Sequence, residues 1–252
     1  MIIHFDAHAH LYDSYDLSVW CRSAIAGLSG QGGSAYPVVI VLDREGHDTF
    51  ARFRREVPKW SELPDGRAGV CHVAGKELLV IRGVQYNTRE RIEVLAFGCS
   101  RSVEDRASID EILAAVTAGG GVPCLPWSPG KWLGARGALV RRLLQNGDPA
   151  RLLVGDVAIR STCGPPSSLL AYARRLGYRV VCGTDPLPRR SDQALVGSFG
   201  QSFEVVSAPS PTELVPAILS CLCDSGCTLT EWGHRNNPLK ALVRFVSSNL
   251  TG

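Results

Sequence analysis

Short β-branched and aliphatic runs alternate with amphipathic stretches along the whole chain, and this rhythm restricts the fold more than anything else in the sequence. Residues 1–6, 37–42, 69–74, 77–84, 91–97, 121–126, 151–154, 179–183 and 203–207 read as strands, bounded by turn residues. Between them, 17–28, 48–56, 109–118, 135–145, 165–176, 212–223 and 238–248 carry helical spacing. Local chemistry marks several ends. Ser108 and Glu111 are spaced for a capping box. Asn146-Gly147 and Gly177 stop helices, Pro165 suits a first helical turn, and Gly75 turns one strand into the next.

Such alternation predicts an α/β fold with a largely parallel sheet, and 252 residues in this pattern suit a closed or distorted barrel better than an open sheet. No linker, fixed-period repeat or low-complexity tract interrupts it, so residues 1–252 read as one domain. A formal net charge of +3, from 27 basic and 24 acidic residues, predicts that no nucleic acid is bound as the main partner. The start of the chain lacks a basic segment followed by a long apolar one, and no run is long enough to span a bilayer. Nine cysteines lie mostly in or beside apolar runs. Together these features predict a cytoplasmic protein with reduced thiols and no membrane partner.

Asp6-Ala7-His8-Ala9-His10 ends the first strand. Residues two apart on a strand share a face, so both imidazoles can converge at the mouth of a barrel, where barrel enzymes hold their sites. Imidazole suits zinc, manganese or iron, and Asp6 is expected on the same face, to orient a ligand or add a carboxylate. Asp185 ends a late buried strand that faces the first across a closed barrel. It can complete a His8-His10-Asp185 metal site, serve as the catalytic proton acceptor, or merely cap the Pro186-Leu187-Pro188 turn.

The glycine-rich segment 119–137 carries Trp127, Lys131, Trp132 and Arg136 on a strand exit that leads into a helix. Lys131 and Arg136 there can hold an anion between tryptophan walls, or the rings can simply close one end of the barrel. Asp43 and His47 follow the second strand and can join the site or cap the next helix. Arg189 and Arg190 can help bind an anion or stand in solvent. Cys221, Cys223, Cys227 and His234 lack paired zinc-ligand spacing and read as structural thiols.

Taken together, these motifs resemble the polymerase-and-histidinol-phosphatase (PHP) superfamily, over roughly residues 1–188 and in strand order. Asp6-Ala7-His8-Ala9-His10 is similar to its first metal motif. Ile40-Val41-Leu42-Asp43 resembles the strand ending in Thr-Asp-His, and Ile81-Arg82-Gly83-Val84-Gln85-Tyr86 the strand presenting a bridging Glu. Gly120 to Pro126 resembles the strand ending in Ala-His-Pro, and Cys182-Gly183-Thr184-Asp185 the strand ending in Ser-Asp-x-His. The resemblance implies a distorted TIM-like (β/α)7 barrel and a metal-dependent phosphoesterase that hydrolyses a small anionic substrate with activated water.

Departures from the pattern reduce that site. Arg44 stands where a His ligand is expected, Gln85 replaces the bridging carboxylate, no His follows Pro126, and Leu187 takes the place of the last His. His8, His10 and Asp185 remain, enough for one divalent metal with an open position but not for a trinuclear cluster. The alternative is a metal-free, catalytically inactive relative in which Gln85, Arg44, Lys131 and Arg136 form a cationic pocket for an anionic ligand or a protein. A broader amidohydrolase pattern ranks third, because His72 is poorly placed and His234 comes too late.

Overall fold

The structure is a computed structural model that describes residues 1–30, 33–128, 130–160, 167–205 and 210–235. Eleven strands and six α-helices alternate among them. The order is β1 (Ile2–Ala9), α1 (Leu17–Leu28), β2 (Ala35–Asp43), α2 (Thr49–Glu56), β3 (Trp60–Glu62), β4 (Ala68–Val73), β5 (Lys76–Asn87) and β6 (Glu93–Phe97). Then come α3 (Ile109–Ala118), β7 (Val122–Pro126), α4 (Gly134–Asn146), β8 (Leu153–Val157), α5 (Ser168–Arg175) and β9 (Val180–Gly183). A 3-10 helix (Arg190–Leu195), β10 (Phe199–Glu204), α6 (Pro211–Cys223) and β11 (Thr230–Gly233) complete the described chain.

The strands hydrogen-bond in the order β11-β10-β1-β2-β5-β6-β7-β8-β9, with β4 also paired to β5 and β3 paired to β4. This sheet curls into a nearly closed barrel, because the end of β9 returns to β1: the Asp185 amide donates to the His8 carbonyl at 2.7 Å. Below that point side chains close the seam. The Gln201 side chain accepts from the Cys182 amide at 3.1 Å and donates to the Val180 carbonyl at 2.9 Å, standing in for a strand.

Two expectations about the sheet need correction. It is mixed instead of largely parallel: β1–β2, β2–β5, β7–β8 and β8–β9 are parallel, whereas β4–β5, β5–β6, β6–β7, β1–β10 and β10–β11 are antiparallel. Connections decide this. Ala74 and Gly75, at φ 53° and 75°, make a two-residue hairpin turn between β4 and β5, and a short loop joins β5 to β6. Parallel strands need a crossover of a dozen or more residues. The second correction concerns β10, which starts four residues before the expected strand. Gly200 and polar Gln201 hide it in the sequence, yet a Cβ on Gly200 would lie 2.0 Å from the Phe5 carbonyl oxygen. The expected helix at 238–248, and the start of the one expected at 165–176, lie outside the described residues.

Inward positions of the strands (Ile3, Phe5, Ile40, Ile81, Phe97, Leu153 and Val181) fill the barrel. Leu214, Ile218 and Leu222 of α6 join that cluster, and Leu219 packs against Gly98 just past β6. Outward positions pack under the helices: Val39, Val41 and Val80 against α1 and α2, and Val94, Ala96, Leu125 and Val154 against α3, α4 and α5. The Ser108–Glu111 capping box starts α3 as its spacing requires. Cys71, Cys99, Cys124 and Cys182 are buried free thiols, but Cys221 and Cys227 form a disulfide, against the expectation that all nine are reduced. Their Cα atoms, 5.4 Å apart across a tight turn after α6, suit such a bond. No helix among the described residues is long and apolar enough to cross a membrane.

Candidate metal centre

The barrel mouth is built by a bulge in β1. Asp6 pairs with Val39 and Ala9 with Val41, so β1 advances three residues while β2 advances two. One extra residue inverts the alternation of the strand. Before the bulge, Ile3, Phe5 and Ala7 point into the barrel; after it, Ala9 packs outward with Val39 and Val41. His8 and His10 therefore turn inward and Asp6 does not.

Asp6 is fully buried and spent on closing the barrel. It accepts from the amides of His8 (3.1 Å), Thr184 (2.9 Å) and Gly197 (3.0 Å) and from the Thr184 hydroxyl (2.5 Å). Burial pushes its carboxyl up to about 6, against the pull of those four donors. The expectation that Asp6 shares the face of the histidines is thus corrected.

His8 Nε2 and His10 Nε2 stand 3.2 Å apart, and Asp185 Oδ1 lies 3.4 Å from the first and 3.8 Å from the second. Both rings are buried, which pulls their pKa values down to about 4 and keeps them neutral near pH 7. The Nδ1 of His10 lies 3.1 Å from the Leu42 carbonyl, so it carries the proton, donates it there, and leaves the Nε2 lone pair facing the centre. The buried Nδ1 of His8 has no hydrogen-bond partner. Asp185 sits at φ 46°, a left-handed conformation that carries its carboxylate back over the mouth, where the side chain is 23% exposed.

Three donors bound to one ion at about 2.1 Å in tetrahedral geometry stand about 3.4 Å apart. The observed triangle matches one face of that tetrahedron, and two neutral imidazoles with one carboxylate are apt donors for zinc, manganese or iron(II). His8, His10 and Asp185 thus form a group that can hold a divalent metal ion.

The other expected residues are placed differently. Gln85 continues the inward face of β5 and reaches both His8 and Glu93, donating to Glu93 at 3.3 Å. Arg44 lies over the Tyr12 ring at 4.5 Å, with Nη2 3.3 Å from His47 Nε2. Asp43 faces outward, accepting from the Thr49 amide at 2.9 Å beside Arg82. Lys131 is ion-paired to Glu93. Arg136 donates to the Gly130 carbonyl at 3.1 Å. Trp132 is buried in the outer cluster beside α4, and Trp127 packs half-buried against it. Sequence reasoning missed Glu93 and Tyr12. Glu93 has the inward parity of Leu95 and Phe97 on its strand, a signal that was legible; Tyr12, whose ring lies 5.6 Å from that of His10, had none.

Fold and site together define a nearly closed α/β barrel with a His-His-Asp group at its mouth that can hold a metal ion. No family model and no curated protein matches the sequence. Among solved structures, the crystal structure of PsfC from Pseudomonas syringae PB-5123 is similar with a TM-score of 0.59 at 13% identity, covering 99% of this chain and 97% of that one. Endonuclease Q in complex with a 27-mer duplex bearing an abasic lesion at the active site gives 0.50 at 12% identity, over 86% of this chain and 56% of that chain. The lesion-specific endonuclease PfuEndoQ from Pyrococcus furiosus gives 0.51 at 11% identity, over 91% and 58%. The chain spans a little over half the length of these two endonucleases, and at such identities the likeness is one of fold. It does overturn the expectation that nucleic acid is excluded, since this fold carries a duplex in one of those structures. That expectation rested on a net charge averaged over the whole chain, which conceals where the cations gather.

Proposed function

We propose that this protein is a metal-dependent hydrolase of phosphate esters. The observation that carries this reading is the donor triangle of His8, His10 and Asp185, with edges of 3.2, 3.4 and 3.8 Å. A divalent metal supplies a Lewis acid and lowers the pKa of water to about 7. His8 and His10 would hold it as neutral imidazoles, with the Leu42 carbonyl fixing the tautomer of His10. Asp185 would add a carboxylate ligand through one oxygen and could accept a proton from water on the other. Gln85 and the Lys131–Glu93 pair flank His8 and orient the ester oxygens. Arg44 and Gln85, in place of further ligands, limit the centre to one ion.

The test is metal analysis of purified protein after incubation with zinc, manganese or iron(II), together with hydrolysis of bis(p-nitrophenyl) phosphate. About one equivalent per chain is expected, with binding at least tenfold weaker and turnover lost in His10→Ala. Less than a tenth of an equivalent, with thermal stability unchanged by chelator, would overturn the reading. So would hydrolysis that survives His8→Ala.

A further inference from the structure

Beside the metal centre lies a cleft of about 560 Å³ whose charged lining is Arg89, Arg91, Arg106, Lys131 and Arg136 against the single carboxylate of Glu93. Glu93 accepts from Gln85, on the inward face of β5, at 3.3 Å and pairs with Lys131, and these contacts link the cleft to the barrel mouth. Lys131 is neutralised by Glu93, and Arg89 has Glu90 at 3.9 Å. Among the described ion pairs, Arg91, Arg106 and Arg136 take no part.

Backbone conformation adds an independent observation. Among the described residues only four other than glycine adopt positive φ: Ala74 in a hairpin turn, Asp185 at the metal centre, and Arg91 and Arg106, at 61° and 67°, in this cleft. Glycine fits such positions without steric cost, whereas arginine is strained there. Strain of this kind is retained where the side chain is needed. Nor are the two loops loose. The Arg106 amide donates to the Asn87 carbonyl at 2.7 Å, the Arg89 amide to Ala107 at 3.0 Å, and Arg101 ties Asp105 to the Gln85 carbonyl at 2.6 and 3.0 Å. The arginines are carried on a braced frame.

We infer that this cleft binds the phosphates of a nucleic-acid strand flanking the ester presented to the metal centre. One phosphate monoester needs one or two cations; three arginines outside the described ion pairs, lining one open cleft, suit more than one phosphate of a strand. The inference rests on the hydrolase reading for the scissile ester, but strand binding can be measured with no metal present.

The test is fluorescence anisotropy with a labelled single-stranded 12-mer in chelator, across a salt series, for the intact protein, Arg91→Gly, Arg106→Gly and the double variant, each with its thermal midpoint. Expected are binding by the intact protein, at least tenfold weaker binding by the double variant, and a salt slope smaller by about 1.4, at roughly 0.7 per lost phosphate contact. The midpoints should stay level or rise, because glycine relieves the strain. A nucleoside monophosphate should not displace the 12-mer at equal phosphate concentration. Displacement at parity, undiminished binding by the double variant, or midpoints lowered by the glycines would each overturn the inference. Loss of metal-dependent turnover with strand binding intact would count against the hydrolase reading alone.

Discussion

A Cβ placed on Gly183 would lie 2.3 Å from the His8 amide nitrogen and 2.8 Å from Asp6 Oδ1. The last residue of β9 is therefore glycine because β1 passes against it, and that approach brings Asp185 to the histidines. Gly183→Ala should force the strands apart, costing about 1–3 kcal/mol and weakening zinc binding at least tenfold, as read by urea unfolding and by zinc titration. Asp6→Asn keeps the shape but replaces one acceptor oxygen with a donor NH2 facing existing donors. A loss of about 1–3 kcal/mol in urea is expected, and an unchanged midpoint would show that Asp6 does not clamp the barrel. The pattern Asp-x-His-x-His was legible as a constellation. Its partition into two inward imidazoles and a seam-closing acid was not, because one extra residue in β1 decides it and register is a property of two strands.

Among the elements, α1 reaches the centre from outside. Trp20 is fully buried and its indole N–H donates to the His10 carbonyl at 3.0 Å, holding the backbone of His10 just past the end of β1. Trp20→Phe keeps most of the apolar area and removes that bond. It should cost about 0.5–1.5 kcal/mol in urea unfolding and weaken metal binding measurably, whereas a purely packing role would leave the metal affinity unmoved. A second brace joins β8 to the segment after β11. Asp156, with its side chain fully buried, takes a bidentate pair from Arg160 at 2.8 and 2.7 Å and lies 2.9 Å from Arg235. Asp156→Ala would leave two mostly buried guanidinium groups without it, a loss of about 3–5 kcal/mol by thermal or urea unfolding. Helix existence and caps were readable at this scale, since 17–28 and 109–118 begin and end where their residues demand. The reversal of β6 was less so, because the identical alternation serves parallel and antiparallel neighbours.

For the whole molecule, a metal that joins β1 to β9 ties together the two strands whose meeting closes the barrel. An ion at a hundred times its Kd should stabilise the fold by about 2.7 kcal/mol, roughly 5–10 °C in the thermal midpoint for a chain of this size. Chelator should reverse the shift, and the double variant His8→Ala, His10→Ala should show none. The sequence by itself determined the barrel class, through the period of its apolar residues, and the imidazole pair, through its spacing on one strand; both depend only on neighbours along the chain. Only the tertiary structure decided which acid meets the histidines, which acids are consumed in bracing, and where the unpaired arginines gather. Those outcomes depend on register, strand direction and loop conformation, which arise when segments remote in sequence come into contact.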